Sequence, residues 1–319
     1  MRSPKSLFFE WVVIDNCNLN CDYCVNRGEY SQKAADRMRY IPGVEIDIAG
    51  RLVEASRHVT RTTVNITGGE PLLARDIREV IGILGEAERL DIQLITNYLL
   101  AGKVADLLPG VSKVIISLHV RYRDANGIDA LVDLVNATKG STRIVLTQVD
   151  HDLRLEDRRV LGHISRKTGL PIAFQTYMPP WTKEGQVEDS QKIRDANFVP
   201  SLGKRCSLGY TYFFVNPDGT FYYDLWCREE SRKTGNFLDP FEVNREAFFP
   251  PHMKRCPATS CGCNYNVFNH AEYTAECRRL GYAEEEIFGR RNITVAAWLK
   301  RKVSDIGNRY LPSRGRRHR

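Results

Sequence analysis

The 319-residue chain is 42% hydrophobic, 27% charged and 10% aromatic, which excludes disordered and fibrous classes. Its formal net charge is +7, but residues 300–319 hold eight Lys and Arg against the single Asp305 and account for that whole surplus. With Tyr310 as its one aromatic, this basic C-terminal tail reads as a solvated end, so nucleic acid is not an expected partner. No apolar run approaches the ~20 residues that cross a bilayer, and no membrane partner is expected. Nine cysteines, an odd number without an export signal, favour metal or redox chemistry over a disulfide framework and suggest a cytoplasmic location.

Along the chain, Arg2 and Lys5 precede an apolar stretch that mimics a signal peptide, but Glu10 interrupts it and residues 7–14 read as a first strand. Five more β-branched or apolar runs follow, at 63–67, 92–96, 113–118, 143–148 and 172–177. Helical periodicity separates most of them, at 44–58, 77–89, 125–137 and 155–167. Six such units predict an α/β fold, a partial (β/α)6 barrel with reactive groups at the carboxyl ends of its strands. The periodicity fades after Met178-Pro179-Pro180-Trp181, which places the barrel at 1–180 and a linker at 181–205. Runs at 211–215 and 220–225 flank Asn216-Pro217-Asp218-Gly219, a turn signal, and predict a β-hairpin in a small C-terminal domain of hairpin plus helix, 206–299, before the tail at 300–319.

Directly after the first strand stands Cys17-Asn18-Leu19-Asn20-Cys21-Asp22-Tyr23-Cys24, a CxxxCxxC triplet. Three thiolates in one loop can hold three corners of an iron–sulfur cubane; with no fourth Cys or His nearby, one iron stays open to a small molecule. A zinc site, which asks for four closed ligands, and plain buried thiols are the blander alternatives. After the second strand comes Thr67-Gly68-Gly69-Glu70-Pro71, whose glycines let backbone approach a ligand and whose Glu70 or neighbouring carbonyls can receive an ammonium group. In type, order and strand context the two motifs resemble the radical S-adenosylmethionine (SAM) superfamily. The resemblance implies that Cys17, Cys21 and Cys24 ligate a 4Fe-4S cluster whose open iron chelates S-adenosyl-L-methionine, and that one electron releases a 5′-deoxyadenosyl radical. It further implies that Gly68, Gly69 and Glu70 hold the methionine end, that Asn97 and Ser117 line the cofactor and ribose pocket, and that Tyr23 covers the adenine or packs about the cluster. The chain departs from the family at Tyr98, where glycine is usual. His119 reads as a hydrogen-bonded pocket wall rather than a catalytic base.

The second half resembles the SPASM/twitch extension of that superfamily: a cysteine, a glycine-turn hairpin, a second cysteine and more cysteines downstream, with Gly235-Asn236-Phe237 also familiar. Six cysteines cannot fill eight ligand positions, so the resemblance implies one auxiliary 4Fe-4S cluster. Its expected ligands are Cys206, Cys227, Cys261 and Cys263, with Cys256 as the alternative to either of the last two and a zinc site as the other occupant. Cys256, if spare, is a candidate hydrogen-atom donor for an epimerase. Cys277, at helical spacing with Tyr273 and Leu280, reads as a buried structural thiol.

The short stretch before Cys17 has no room for a leader-peptide-binding domain, which favours a small metabolite. Within that class, the resemblance to compact twitch enzymes implies epimerisation or dehydrogenation of an aminocyclitol or sugar in natural-product biosynthesis, of the antibiotic kind. Modification of a ribosomally made peptide, by epimerisation or crosslinking, is the alternative, and a zinc protein binding nucleic acid a distant one. A flavodoxin or ferredoxin is the electron donor that the resemblance implies. Thr147, Gln148, Asp150, Gln175 and Tyr177 are candidates to face the barrel mouth, or to be buried barrel residues.

Overall fold

The computed structural model describes residues 6–24, 41–176, 199–200, 205–206, 210–222, 233–248, 253–255, 260–261 and 271–282. Six parallel strands form its centre: β1 (Ser6–Ile14), β2 (Arg61–Gly68), β3 (Leu90–Thr96), β4 (Lys113–Ser117), β5 (Arg143–Asp150) and β6 (Ile172–Thr176), each paired with the next. Helices α1 (Val44–Ser56), α2 (Ile77–Gly85), α3 (Ala125–Thr138) and α4 (Leu155–Thr168) connect or flank them. Each predicted strand and helix of the first half is present, and the mixed α/β architecture with a parallel sheet agrees with a partial barrel. Predicted helix 77–89 stops at Gly85, because residues 87–90 turn directly into β3.

The strands alternate as a sheet covered on one face requires. On β1, Leu7, Phe9, Trp11 and Val13 are buried, whereas Phe8, Glu10 and Val12 are half-buried. The buried side meets the helices, each of which presents one apolar stripe: Ile48, Leu52 and Ala55 on α1, Ile77, Val80, Ile81 and Leu84 on α2, Leu131, Val132 and Val135 on α3. Asp124 caps α3 by accepting from the Gly127 N–H at 2.7 Å. The other side of the sheet is the inner face of the barrel.

Beyond the barrel, two-residue strands β7 (Val199–Pro200) and β8 (Arg205–Cys206) precede β9 (Tyr212–Val215), β10 (Thr220–Tyr222) and β11 (Lys233–Asn236). The hairpin predicted at 211–225 is present, and it joins the barrel sheet: β9 lies parallel to β1, giving the order β11-β10-β9-β1-β2-β3-β4-β5-β6. Helix α5 (Phe241–Phe248) packs on it, and Phe213, Phe221, Phe237, Phe241 and Phe248 belong to the same core as Phe9. The remaining pieces are β12 (Lys254–Arg255), paired with β8, β13 (Ser260–Cys261), paired with β7, and helix α6 (Ala271–Arg279). Most of the expected linker and the whole basic tail lie outside the described residues.

Candidate functional site

Strand β1 ends in the cysteine loop. Cys17 is exposed, Cys24 half-buried and Cys21 buried, and none of the three is in a disulfide. A turn closes the end of the loop through the Cys24 N–H on the Cys21 carbonyl at 3.2 Å, and the Leu19 N–H points at Cys17 Sγ at 3.4 Å. Burial raises the Cys17 pKa, so that its anion needs a positive partner to form. Among the described residues no three Cys, His, Asp or Glu side chains are gathered tightly enough for a single metal ion. Three thiols on one short loop, none in a disulfide, are the donor set that an iron–sulfur group takes.

The Gly68-Gly69-Glu70 strap at the end of β2 crosses this loop at its base. Gly69 N–H donates to the Ile14 carbonyl and Glu70 N–H to the Asn16 carbonyl, both at 2.8 Å. A Cβ on Gly69 would sit 2.2 Å from Asn16 O, and one on Gly68, whose φ is +152°, would sit 2.2 Å from Ile14 O. The close approach that the glycines allow is therefore, first of all, to the chain's own backbone. Glu70 is fully buried: Oε1 accepts from Thr96 Oγ1 at 2.6 Å and Leu72 N–H at 3.1 Å, and Oε2 from Asn97 N–H at 2.7 Å. Burial raises its pKa, while these donors and the Arg123 charge oppose the rise. Its carboxylate thus ties the ends of β2 and β3 together.

Asn97 is buried and continues the tie. Its Nδ2 donates to Asn18 Oδ1 in the cysteine loop at 2.7 Å, and its Oδ1 accepts from Leu99 N–H at 3.0 Å. Tyr98 takes a left-handed backbone, φ +65°, which explains why glycine suits this position. Here the Tyr98 N–H on Thr96 Oγ1 at 2.9 Å and the Tyr98 hydroxyl on Thr138 at 3.0 Å hold it. Arg123 bridges β3 and β4 by donating to the carbonyls of Leu118, at 2.6 Å, and of Asn97; burial pushes its pKa down to about 10.

Tyr23 lies on the far side of the loop, buried, its ring stacked on His119 at 5.8 Å and its hydroxyl 2.8 Å from His119 Nδ1. The same nitrogen is 3.5 Å from Cys21 Sγ. Burial and the Arg123 charge push the His119 pKa down to about 4, so the ring is neutral near pH 7. Tyr122 hydroxyl receives the Asp22 N–H at 2.9 Å and edges Tyr23, as does His151. Ser117 is half-buried at the end of β4, on the inner face with Thr147 of β5. Thr147 and Gln148 are buried, Thr147 donating to Ile116 O at 3.2 Å and Gln148 accepting from Val120 N–H at 3.4 Å. Asp150 and Gln175 are exposed, and Tyr177 lies outside the described residues.

The structure brings together Cys17, Cys21, Cys24, Tyr23, Gly68, Gly69, Glu70 and Asn97. Sequence reasoning missed Asn18, Tyr122, Arg123 and His151; the polar run between the cysteines pointed at Asn18, and nothing local singled out Arg123. Of the expected C-terminal ligands, Cys227, Cys263 and the alternative Cys256 lie outside the described residues. Cys206 and Cys261 are described as backbone alone, opposite Lys254 and Val199 respectively. Cys277 is a buried thiol on α6, its Sγ 3.7 Å from Met253 Sδ. No described helix is long and apolar enough to cross a membrane.

Residues 11–151 match the family model of the radical SAM superfamily. A probable GTP 3′,8-cyclase of Archaeoglobus fulgidus is 36% identical over 146 residues, 43% of this chain and 45% of that protein. A probable GTP 3′,8-cyclase of Methanocaldococcus jannaschii is 29% identical over 72% of this chain and 82% of that protein. The chain thus spans under half of the first relative and most of the second. Among solved structures, His-tagged anSMEcpe with bound AdoMet superposes with a TM-score of 0.54 at 15% identity, covering 96% of both chains. SuiB of Streptococcus suis bound to the precursor peptide SuiA gives 0.51 at 14% identity, covering 78% of this chain and 65% of that one. Identities this low speak for the fold.

Proposed function

From a chain whose residues 11–151 match the radical SAM family model, we infer an enzyme that takes a hydrogen atom from a sugar-like ring carbon of a small polar metabolite. The observation that carries this is the strap: Gly69 and Glu70 bond to the carbonyls of Ile14 and Asn16, so the second motif fixes the loop that bears the three thiols. When bound, a 4Fe-4S cluster on Cys17, Cys21 and Cys24 together with S-adenosyl-L-methionine supplies one-electron cleavage of the sulfonium and a 5′-deoxyadenosyl radical.

The chain's own residues orient and exclude. Asn97 and Glu70 hold the loop base rigid through buried hydrogen bonds. Tyr23 and His119 form a stacked wall beside Cys21 that keeps water from that thiol, and a neutral imidazole adds no charge there. The strap's backbone carbonyls, rather than the Glu70 carboxylate that Leu72, Thr96 and Asn97 already engage, would receive the ammonium of the methionine end. Ser117, at the end of β4, would line the ribose side of the cofactor. In the second half, Cys206, Cys227, Cys261 and Cys263, with Cys256 as alternative, remain our candidates for one auxiliary 4Fe-4S cluster in a SPASM/twitch-like region.

Within this function the outcome we favour is epimerisation or dehydrogenation of an aminocyclitol or sugar. A second outcome, rearrangement of a nucleotide's sugar, is favoured by the relatives named GTP 3′,8-cyclase. Anaerobic reconstitution with iron and sulfide, followed by dithionite and S-adenosyl-L-methionine, tests the common core. Wild type should hold about eight irons as two cubanes, falling to about four in the Cys17→Ala/Cys21→Ala/Cys24→Ala variant with loss of 5′-deoxyadenosine. Zinc in place of iron throughout would reject the enzyme.

A further inference from the structure

A turn after β4 reaches into the middle of the cysteine loop. His119 takes a left-handed backbone there, φ +48°, that few non-glycine residues adopt, and Val120–Tyr122 form a short helical turn. The turn is anchored on three sides. Tyr122 hydroxyl accepts from the Asp22 N–H at 2.9 Å and donates to Asp22 Oδ1 at 3.0 Å, Arg121 Nε donates to Asp157 Oδ2 on α4 at 3.1 Å, and Arg123 donates to the carbonyls of Leu118 and Asn97. So held, the His119 ring lies 13° from parallel to Tyr23, with Nδ1 2.8 Å from the Tyr23 hydroxyl and 3.5 Å from Cys21 Sγ.

A neutral imidazole carries one N–H, and its two tautomers treat the sulfur differently. With Nδ1 bare, the Tyr23 O–H donates to the ring and Cys21 faces a lone pair. With the proton on Nδ1, that N–H points between the Tyr23 oxygen and Cys21 Sγ, and the Tyr23 O–H is released. The Tyr23 hydroxyl also hydrogen-bonds the side chains of Cys21 and Gln148. Gln148 Nε2 has two N–H groups and donates one to Val149 O at 3.0 Å, which leaves the other for the Tyr23 oxygen. A thiolate accepts and cannot donate, so Cys21 as an anion selects the second tautomer and gains both donors. Cys21 is the buried thiol of the three, where a hydrogen bond is stronger than at the exposed Cys17.

We propose that Tyr23 and His119 are a positioning pair that donates two hydrogen bonds, O–H and Nδ1–H, to the Cys21 thiolate and thereby raises the reduction potential of the cluster bound there. The pair's role rests on the reading of Cys21 as a cluster ligand given above. Reduction adds one negative charge to the cluster and its thiolates, and a donor on a ligating sulfur stabilises the reduced form more than the oxidised one. Removing a donor therefore lowers the potential. Admitting water does the reverse, because water stabilises the added charge, so the sign separates a donor from a wall that only excludes solvent.

The test is a redox titration followed by electron paramagnetic resonance, on the full-length, anaerobically reconstituted protein without S-adenosyl-L-methionine. The signal followed is the one that disappears in the Cys17→Ala/Cys21→Ala/Cys24→Ala variant. Tyr23→Phe keeps the stacked ring and removes the O–H; it should cut the ratio of reduced to oxidised cluster at a fixed potential about tenfold, a downward shift of ~59 mV for one electron. His119→Asn tolerates the left-handed backbone and puts an amide N–H where Nδ1 stands, whereas His119→Leu has the same branching and no donor. Both open the same space, so the Leu variant should show a ratio about tenfold below that of the Asn variant. Tyr23→Phe alone decides should His119→Leu fail to fold. A Tyr23→Phe potential equal to or above wild type, Leu and Asn variants that titrate together, or loss of iron from all three would overturn the proposal. A wild type in which no reducible signal depends on the three cysteines would instead remove the cluster reading itself.

Discussion

The barrel mouth and the seam where β9 joins β1 are built on opposite principles. At the mouth, buried polar groups hold one another: Glu70 by three donors, Asn97 between the strap and Asn18, Arg123 on two carbonyls. At the seam, rings do the work: Phe9 meets Phe213 at 5.6 Å and Phe237 at 5.5 Å, and Phe221 meets Phe248 at 4.8 Å. Apolar burial is non-directional and tolerates repacking, whereas a buried hydrogen bond fails when its partner moves by an ångström. The mouth is therefore the region where geometry is specified and the seam the region where stability is stored.

The sharpest way to break this comparison is Gly69→Val. Its Cβ would land 2.2 Å from Asn16 O and 2.5 Å from Asp15 O, both backbone atoms that cannot swing aside. Overpacking of this kind costs about 3 kcal/mol or more locally. We expect iron content after reconstitution to fall to background, while the far-ultraviolet circular dichroism of the sheet persists. A variant with full iron would show that the strap does not fix the loop.

Next in size is Phe221→Ala at the seam, expected to cost about 3–5 kcal/mol by chemical denaturation. Its iron per folded chain should stay at the wild-type value, because no ring of the seam belongs to the mouth's hydrogen-bond set. Phe221→Leu should recover most of the loss. Iron that fell in step with stability would join the two regions into one unit.

Glu70→Gln sharpens the comparison from the other side. The shape is kept, but one oxygen that accepts becomes an amide that donates, and it faces either Asn97 N–H or the Thr96 and Leu72 donors. The expected cost is about 1–3 kcal/mol, with weaker binding of S-adenosyl-L-methionine by equilibrium dialysis. Stability lost without any change in cofactor affinity would make Glu70 a staple of the fold alone.

How much of this was legible beforehand follows the same division. The six strands and four helices were legible because local patterning repeats along each element, as Ile77, Val80, Ile81 and Leu84 do on α2. The cysteine triplet and the strap were legible because each is a short contiguous word. The direction of Glu70 was not: the sequence allowed a ligand, and the carboxylate turned to Thr96, Asn97 and Leu72, which only the parallel pairing of β2 and β3 brings within reach. Arg123 was invisible for the same reason, since its two acceptors end different strands. The hairpin was legible from its turn, but its pairing with β1 was not, because register between residues some two hundred apart leaves no local mark. Glu10 was noticed only as the residue that spoils a signal peptide, although a carboxylate in mid-strand already marked the inner face.

The smallest effect tests how far the polar set reaches. Tyr98 occupies a left-handed position that glycine would fill without strain, yet its ring is 2% exposed and its hydroxyl meets Thr138 on α3 at 3.0 Å. Tyr98→Phe keeps the ring and the backbone and removes that one bond. Thr138 Oγ1 still donates to Leu134 O at 2.7 Å, so no donor is stranded, and the loss should be about 1 kcal/mol in denaturant. Iron content and cofactor affinity should not change, since the Tyr98 N–H, not its hydroxyl, meets Thr96 and through it Glu70. If cofactor affinity fell with the hydroxyl, the polar set would extend through the ring to α3, and the helix layer would have to be counted as part of the mouth.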